Sequence, residues 1–377
     1  MTSGKINSHY KIVIIGAGPS GSSCAIALSR SGIKNVLLIE SGEHDKFRIG
    51  ESIPPEIKTI FLQLGIYEAF LAEGHDPCYG SISFWGSDLK GYNDFLLSPY
   101  GHGWHLDRQR FNKFLSKQAK LAGAELVTNS KFQNSENLQD GKFKLTFSNS
   151  LNSDFFVTSD FVIDATGSRS VFAMQQGSIK LNTDPLVCLG VRFKIDNHAQ
   201  TVSKQTHLEA ADYGWWYAAR LPEDILLVTL YTDADTIKQK KLQQFENWYS
   251  LLHETPQTSK LVDKTKLIDD KLKAFPAPSF RLDKIIGKNW MAIGDAASAF
   301  DPITSQGIIK SMSDAVFAAE IIAQHFAGKQ NILEEYEKTV VSRYEQYLSM
   351  RKYFYQLEKR WPESPFWLKY QDTSVSV

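Results

Sequence analysis

Two carboxylates in this sequence follow short apolar runs and lie beside glycine and other small residues, which suits them to chemistry. Glu40 closes Asn35–Ile39, nineteen residues after Gly21, the last glycine of Gly16-Ala17-Gly18-Pro19-Ser20-Gly21. Asp295 follows Asn289–Ile293 in Gly294-Asp295-Ala296-Ala297, shortly before Asp301-Pro302 and Thr304-Ser305-Gln306-Gly307. A G-x-G-x-x-G turn that leaves a strand, opens a helix and is followed by an acid at the end of the next strand binds a dinucleotide. Gly16 permits the tight turn, Gly18 lets backbone approach a pyrophosphate, and Gly21 lets the helix lie close on the strand. The helix N-terminus offers free N–H groups and a positive dipole end to phosphate, and Glu40 can accept from both ribose hydroxyls.

The elements that must hold these groups follow from periodicity. Ile12–Ile15 is a β-branched run of the kind buried on both faces of a parallel sheet. Ser22–Ser31 is a helix of small residues closed by Gly32, and Asn35–Ile39 is the second strand, so the glycine turn has its βαβ setting. A second helix, from Ile308 to about Phe326, opens where a strand ends and suits a negative or electron-rich ligand. Asp295 there either holds a sugar-alcohol hydroxyl or caps a helix. Arg48, in the loop before Gly50-Glu51-Ser52, either lies over a phosphate or is a solvated loop arginine.

Elsewhere Glu56–Leu64 and Phe111–Leu121 are helices, Glu125–Asn129 and Phe161–Asp164 are buried strands, and Phe143–Phe147 with Phe155–Thr158 form a hairpin. The aromatic stretches Gly80–Trp85, Tyr92–Leu97, Cys188–Ile195, Tyr213–Leu221 and Leu226–Thr232 are strands of a mostly antiparallel sheet that makes a lid and floor for a substrate. On one strand Trp215 and Tyr217 face one side and Trp216 the other. These rings either line a pocket or form the core of the sheet. Ile237–Leu252 is a helix, and Ile332–Tyr370 is helical, with an aromatic stripe that packs against the body and an end at Trp361-Pro362. His102 and His105 have metal-ligand spacing, but Gly101 and Gly103 make this a loop and no third ligand clusters with them. They are structural or substrate-facing histidines, and no metal site is expected.

Bulk properties remove several function classes. The 377 residues carry 42 basic and 42 acidic side chains with no basic run, which argues against nucleic acid or an anionic membrane as partner. No apolar run has membrane-spanning length, and the N-terminus MTSGKINSHY is too polar for a signal peptide. Cys24, Cys78 and Cys188 are scattered and odd in number, which fits a reducing cytoplasm.

Together these segments resemble the FAD-dependent monooxygenases of the hydroxybenzoate-hydroxylase fold. Within them they are most similar to the branch holding flavin-dependent tryptophan halogenases and geranylgeranyl reductases. Gly16–Gly21 with Glu40 resembles the family's ADP-binding turn. Gly50-Glu51-Ser52-x-x-Pro55 is similar to its GES-type motif. Leu106-x-Arg108-x-x-Phe111-Asn112-x-x-Leu115 resembles the RxxFD helix start, with Asn112 in the aspartate's place. Asp164-Ala-Thr-Gly167-x-Arg169-Ser170 resembles the DxxGxRS turn, and Gly294-Asp295 through Asp301-Pro302-x-x-Ser305-x-Gly307 resembles the GD motif.

The resemblance implies an α/β fold with a Rossmann-like FAD-binding domain of the hydroxybenzoate-hydroxylase and glutathione-reductase type. An antiparallel substrate sheet is inserted in it and a helical tail follows. The FAD-binding domain is expected over 9–78, 101–175 and 284–330, the substrate domain over 79–100 and 176–283, and the tail over 331–377. Non-covalent FAD would lie against Gly16, Ala17, Gly18, Pro19, Ser20 and Gly21, with Glu40, Ser41, Arg48 and Val127 nearby. Gly50, Glu51, Ser52, Arg108 and Gly167 would border it further along. Asp295 would bind the ribityl chain, and Pro302, Gln306, Gly307 and Ile308 would face the flavin ring. His105, Ser305 and Pro302 are the candidates for a catalytic role, and Trp85, Trp215, Tyr217 and Tyr231 for substrate contact.

Departures from the family decide between activities. Halogenases of this branch carry a lysine on the strand after the GES motif, and alignment puts Ser83 in its place. They also carry WxWxIP, against Tyr217-Ala-Ala219-Arg-Leu221-Pro222 here. With neither lysine nor second tryptophan, halogenation gives way to hydroxylation of an electron-rich aromatic by a flavin C4a-hydroperoxide. Dioxygen is then the co-substrate, with NAD(P)H or a separate flavin reductase as electron donor. Gly214-Trp215-Trp216-Tyr217 and the ending Arg360-Trp361 to Trp367 resemble flavoproteins that mature tryptophylquinone amine and amino-acid oxidases. That resemblance implies a tryptophan of a precursor protein as substrate. The alternatives are a non-catalytic flavoprotein maturation partner, a halogenase, or a geranylgeranyl-reductase-like enzyme.

Overall fold

The structure, a computed structural model, describes residues 6–149, 153–184, 186–196, 202–263, 265–269 and 271–371, so the end of the tail, 372–377, lies outside it. Among these residues two eight-stranded sheets dominate. The first is built around His9–Ile15, which runs parallel to Asp154–Asp164 on one side and Val36–Ile39 on the other. Trp290–Ala292 and Glu125–Val127 extend it outward, also in parallel. In register, Ile15 stands opposite both Asp164 and Ile39, and Asp164 opposite Ala292. The carboxyl ends of four strands therefore lie level. In an open α/β sheet that edge is where ligands bind.

The packing explains the run that starts the chain. Ile12, Val13 and Ile14 are wholly buried, because helices cover the sheet. The first helix, Pro19–Arg30, packs on the long helix Gly307–Phe326. Its Ser22, Ser23, Cys24 and Ala25 are buried, and side chains this small let two helices approach closely.

The second sheet runs Thr265–Leu267, Leu186–Ile195, Ile225–Asp233, Gly214–Leu221, Thr206–Ala211, Gly80–Phe84 and Gly91–Asp94, with Lys273–Pro276 added beside Leu186–Ile195. Only the pair Thr206–Ala211 and Gly80–Phe84 is parallel. Alternation sorts its rings as expected. Trp215, Tyr217 and Ala219 pack with Tyr355, Phe366 and Trp367 of the C-terminal helices Ile332–Leu357 and Pro365–Gln371. Trp216 and Ala218 face the opposite way, onto Trp248 and Leu252.

Five elements differ from expectation. Gly103–His105, expected as a loop, is a strand paired with Ser52–Ile53 and Asp76–Cys78. Phe155–Thr158 and Phe161–Asp164 belong to one strand, Asp154–Asp164, whose outer half makes the hairpin and whose inner half joins the parallel sheet. Its polar midpoint is satisfied by a bond from Ser159 Oγ to the Phe161 carbonyl, 2.7 Å. Ser130–Asn137 is an additional edge strand. The helix expected over Ile237–Leu252 is two helices, Ala234–Gln239 and Phe245–Glu254. Leu242 and Trp248 both enter the core behind Trp216. Six residues apart, they would point about 120° away from each other on one continuous helix. The tail helix ends at Leu357, before Trp361-Pro362, and a short helix follows. No helix of the described residues is long and apolar enough to cross a membrane.

Candidate functional site

The level strand ends open onto a cleft. Gly16 adopts φ +107°, and a Cβ there would press on the Ala165 carbonyl oxygen, so only glycine fits between the first strand and its neighbour. Gly18 caps the first helix without a side-chain hydrogen bond, and Pro19 stands in the first turn. The N–H groups of that turn are thus left for a ligand. Glu40 reaches back across the turn: its Oε2 accepts from Ala17 N at 2.9 Å, and its Oε1 from Ser41 Oγ at 3.1 Å and Gly42 N at 3.3 Å.

Opposite stands the turn that leaves Asp164. This wholly buried carboxylate accepts Thr166 N (2.9 Å) and Thr166 Oγ1 (2.7 Å) on Oδ1, and Ala173 N (2.8 Å) on Oδ2. It fixes the path that brings Ala165, Thr166 and Gly167 to the cleft. Asp295 projects from the turn Gly294–Ala296 with 41% of its side chain exposed, 3.5 Å from Lys310 Nζ. Ser311 Oγ donates to it at 3.4 Å. It caps no helix, so of its two readings the cap falls away. The long helix beside it begins at Gly307, and Gln306 supplies no side-chain cap.

The loop before that helix is held from the far end of the chain. Asp301 Oδ2 accepts from Tyr355 Oη at 2.8 Å and Arg351 Nε at 3.2 Å, while Asp301 N donates to Tyr347 Oη at 2.8 Å. Phe300 stacks on Tyr347 with ring centroids 4.0 Å apart. Arg351 also meets Asp184 at 2.9 Å.

Across from this loop, Arg108 Nη1 donates to the Ile49 and Gly50 carbonyls. This ties the Arg48–Ser52 loop to the start of the helix Arg108–Leu121. Glu51 is 2% exposed, and burial pushes its carboxyl up to about 7 against the opposing pull of Arg108. Ser52 Oγ lies 2.9 Å from Tyr217 Oη.

The expected site residues divide cleanly by position. One end of the cleft is lined by Gly16, Gly18, Pro19, Ser20, Glu40, Ser41, Arg48, Arg108, Gly167 and Asp295. The other is lined by Gly50, Glu51, Ser52, Tyr217, Tyr231, Pro302, Ser305, Gly307 and Ile308. Pro19, Arg108, Asp295 and Ser311 border both ends, so the two ends adjoin. Arg48 lies exposed on its rim, and both readings of it stand. Ala17 and Gly21 form the turn behind the wall, and Gln306 precedes the long helix without lining the cleft. The Val127 carbonyl is taken by the Glu40 N–H at 2.8 Å, away from the cleft.

Three expectations are corrected. His105 is fully buried on Thr206 Oγ1 (3.1 Å) and lines neither end of the cleft; desolvation pushes its pKa down to about 4. Trp215 is fully buried, stacks on Tyr231 at 4.0 Å and donates to Tyr355 Oη. Trp85 donates to the Phe354 carbonyl at 2.7 Å and packs edge-on against Trp367. Both tryptophans anchor the C-terminal helices, and only Tyr217 and Tyr231 of the four rings reach the cleft. Conversely, Pro276, Ala277, Pro278 and Phe300 line the far end. The prolines between two strand-like stretches were their only signal.

An uncapped helix start, a carboxylate at the second strand's end and a half-exposed acid before a second uncapped helix are donors and acceptors suited to FAD. Ser20 Oγ, buried without a partner at the first helix start, adds an unsatisfied polar group there.

Comparisons with known proteins agree with this geometry. The family model described as tryptophan halogenase matches residues 11–96 and 89–376. LodB of Marinomonas mediterranea, named a putative FAD-dependent oxidoreductase, is 28% identical over 359 residues, covering 95% of this chain and 96% of that protein. The myxobacterial chondrochloren halogenase CndH superposes with a TM-score of 0.88 at 20% identity, over 98% of this chain and 87% of that one. QhpG, a peptidyl tryptophan dihydroxylase essential for tryptophylquinone cofactor biogenesis, superposes with a TM-score of 0.77 at 21% identity, over 97% of this chain and 79% of that one. The α/β architecture with several sheets and a helical C-terminal region is thus that of FAD-dependent halogenase structures.

Proposed function

Because the chain belongs to the tryptophan halogenase family of FAD-dependent flavoproteins, we propose that it is a monooxygenase that hydroxylates a tryptophan side chain of a precursor protein. That modification would serve tryptophylquinone cofactor biogenesis in the partner oxidase. The observation that carries this reading is that the two ends of the cleft adjoin. The end with the dinucleotide motifs shares Pro19, Arg108, Asp295 and Ser311 with a chamber walled by Tyr217, Tyr231, Phe300 and Pro276–Pro278. An aromatic ring in that chamber shares its floor with the residues that face the flavin, and tyrosine faces favour indole by offset or edge-to-face stacking.

In this reading Glu40 and Ser41 hold the adenosine ribose, and the first helix start holds the pyrophosphate. Asp295 holds the ribityl chain, and Pro302, Gly307 and Ile308 face the ring. Bound FAD supplies the activation of dioxygen. The chain's own residues bind it, orient the substrate ring and exclude water. Tyr355 and Arg351 keep the Asp301–Ser305 loop in place. Electrons come from NAD(P)H or a separate flavin reductase. Likeness to QhpG supports a protein-borne substrate. The three free, buried cysteines support a cytoplasmic location.

Co-expression with a candidate quinone-oxidase precursor, followed by mass measurement of the precursor, tests this. Oxygen added to a precursor tryptophan only when the flavoprotein is present is the expected result. An unmodified precursor alongside efficient hydroxylation of a free small aromatic would overturn it.

A further inference from the structure

Glu51 borders more than the substrate chamber. Behind it lies a second cavity, lined among others by Phe47, Asp107, Gln109, Leu221 and Glu223. Glu51 and Arg108 are the two residues that this cavity shares with the Tyr217–Tyr231 chamber. Glu51 therefore stands in the partition, and its Oε1 is buried with no hydrogen-bond partner. A buried acceptor left unsatisfied costs about 1–3 kcal/mol, more when charged, so an arrangement that keeps one calls for a reason.

The surrounding groups leave Glu51 alone in its role. Arg108 spends Nη1 on the Ile49 and Gly50 carbonyls, and no ion pair joins it to Glu51 among the described residues. Tyr217, Tyr231 and Cys188 face Glu51 from three strands, and burial raises all three, so they keep their protons at neutral pH. Across the second cavity stand Arg48, Asp107, Arg192 and Glu223. Of the other chamber carboxylates, Asp295 lies beside Lys310, and Asp301 is bound by Tyr355 and Arg351. Burial holds the Glu51 carboxyl at about 7, within reach of both protonation states at working pH.

We propose that Glu51 is the proton acceptor of the hydroxylation and releases that proton to water in the second cavity. The role rests on the monooxygenase reading above. A ring carbon that has gained oxygen still bears its hydrogen. That C–H bond breaks, its electron pair returns to the ring, and the proton goes to the Glu51 carboxylate. The other oxygen atom of dioxygen leaves as water, and NAD(P)H with one proton from solvent supplies the two electrons and two hydrogens that balance the reaction.

The test compares wild type, Glu51→Gln and Glu51→Asp as full chains with FAD bound. Wild-type hydroxylation should rise with pH through about 7. Glu51→Gln should lose about 100-fold in turnover together with that limb. FAD content is measured for each variant, and rates are compared per bound FAD. Glu51→Asp should regain part of the rate and the limb. An infrared titration of the purified chains should show a carboxyl that protonates near pH 7 in wild type and is missing from Glu51→Gln. An unchanged pH profile in an FAD-loaded Glu51→Gln protein, or no such carboxyl in wild type, would overturn the role. If wild type oxygenates neither precursor nor small aromatics, the monooxygenase reading fails instead, and the infrared titration still reads Glu51.

Discussion

The N–H of Ala17 donates to Oε2 of Glu40 at 2.9 Å, tying the glycine turn to the end of the second strand. The carboxylate assigned to the ribose thus also braces the turn assigned to the pyrophosphate. Glu40→Ala should remove both supports and weaken FAD binding by about 1.5–3 kcal/mol, roughly ten- to hundredfold. Glu40→Gln keeps a carbonyl oxygen for Ala17 and should lose less. Flavin fluorescence titration measures both. An alanine variant that holds FAD as tightly as wild type would refute the assignment.

Gly16 and Gly18 should fail in different ways. A methyl on Gly16 meets the Ala165 carbonyl at φ +107°, whereas nothing lies within 4 Å of one on Gly18. Gly16→Ala should lower the stability of the FAD-free protein by about 1–3 kcal/mol of backbone strain, plus the clash. Gly18→Ala should leave that stability unchanged and weaken FAD, because its methyl occupies the space assigned to phosphate. Thermal melts with and without FAD separate the two. Equal loss of FAD-free stability in both variants would contradict the geometry.

These sites were legible because their patterns are local. Strand, turn, helix and acid lie between Ile12 and Glu40, and each step follows from spacing. Ser130–Asn137 was illegible because an edge strand paired on one side can stay polar beyond Phe132. Alternation separated Trp215 from Trp216. It could not say that Tyr355, 140 residues later, would cover Trp215 and leave Tyr217 at the cleft. Glu51 was readable as part of a motif. Its place in a partition depends on Tyr217 and Leu221, brought in by a distant strand.

Tyr355 and Arg351 should matter to the cleft although both lie on the C-terminal helix. Tyr355→Phe removes one donor from the buried Asp301 carboxylate, which keeps Arg351 and Ile303 N, and also the acceptor of the Trp215 Nε1–H. A hydrogen bond to a charged group is worth about 1.5–3 kcal/mol, and denaturant unfolding should show a loss of that order. Arg351→Met should cost more, since Asp301 and Asp184 then lose their shared cation. A Tyr355→Phe protein as stable as wild type would show that the contact does not hold the loop.

The carboxyl of Glu51 makes stability depend on pH. Burial raises it from 4.5 to about 7, so the folded chain binds more protons than the unfolded chain between those values. Its contribution is fully present below pH 4.5 and is lost as pH rises through about 7. Glu51→Gln does not ionise. Relative to wild type at pH 5, it should gain up to about 3 kcal/mol by pH 8. Urea unfolding of the FAD-free proteins at the two pH values measures this. A wild type that gains on the variant between pH 5 and pH 8 would have the opposite sign and contradict the burial argument.

Halogenation should be absent, and two positions on one face of the sheet are expected to decide it. Ser83 stands opposite Leu208, which stands opposite Tyr217, and residues paired across strands share a face. Ser83 and Ala219 therefore lie on the Tyr217 side of the sheet, where a lysine and a tryptophan would serve a halogenase. A hydroxyl has no amine to relay halogen, and a methyl group builds no wall between substrate and flavin. Supplied with chloride or bromide, reduced FAD, dioxygen and tryptophan or indole, the protein should yield no halogenated product by mass spectrometry. Ser83→Lys alone should not restore halogenation, because Ala219 still leaves the wall missing. A halogenated product that depends on the wild-type protein would show that position 83 is not where the relay resides, and would favour halogenation over hydroxylation in this chamber.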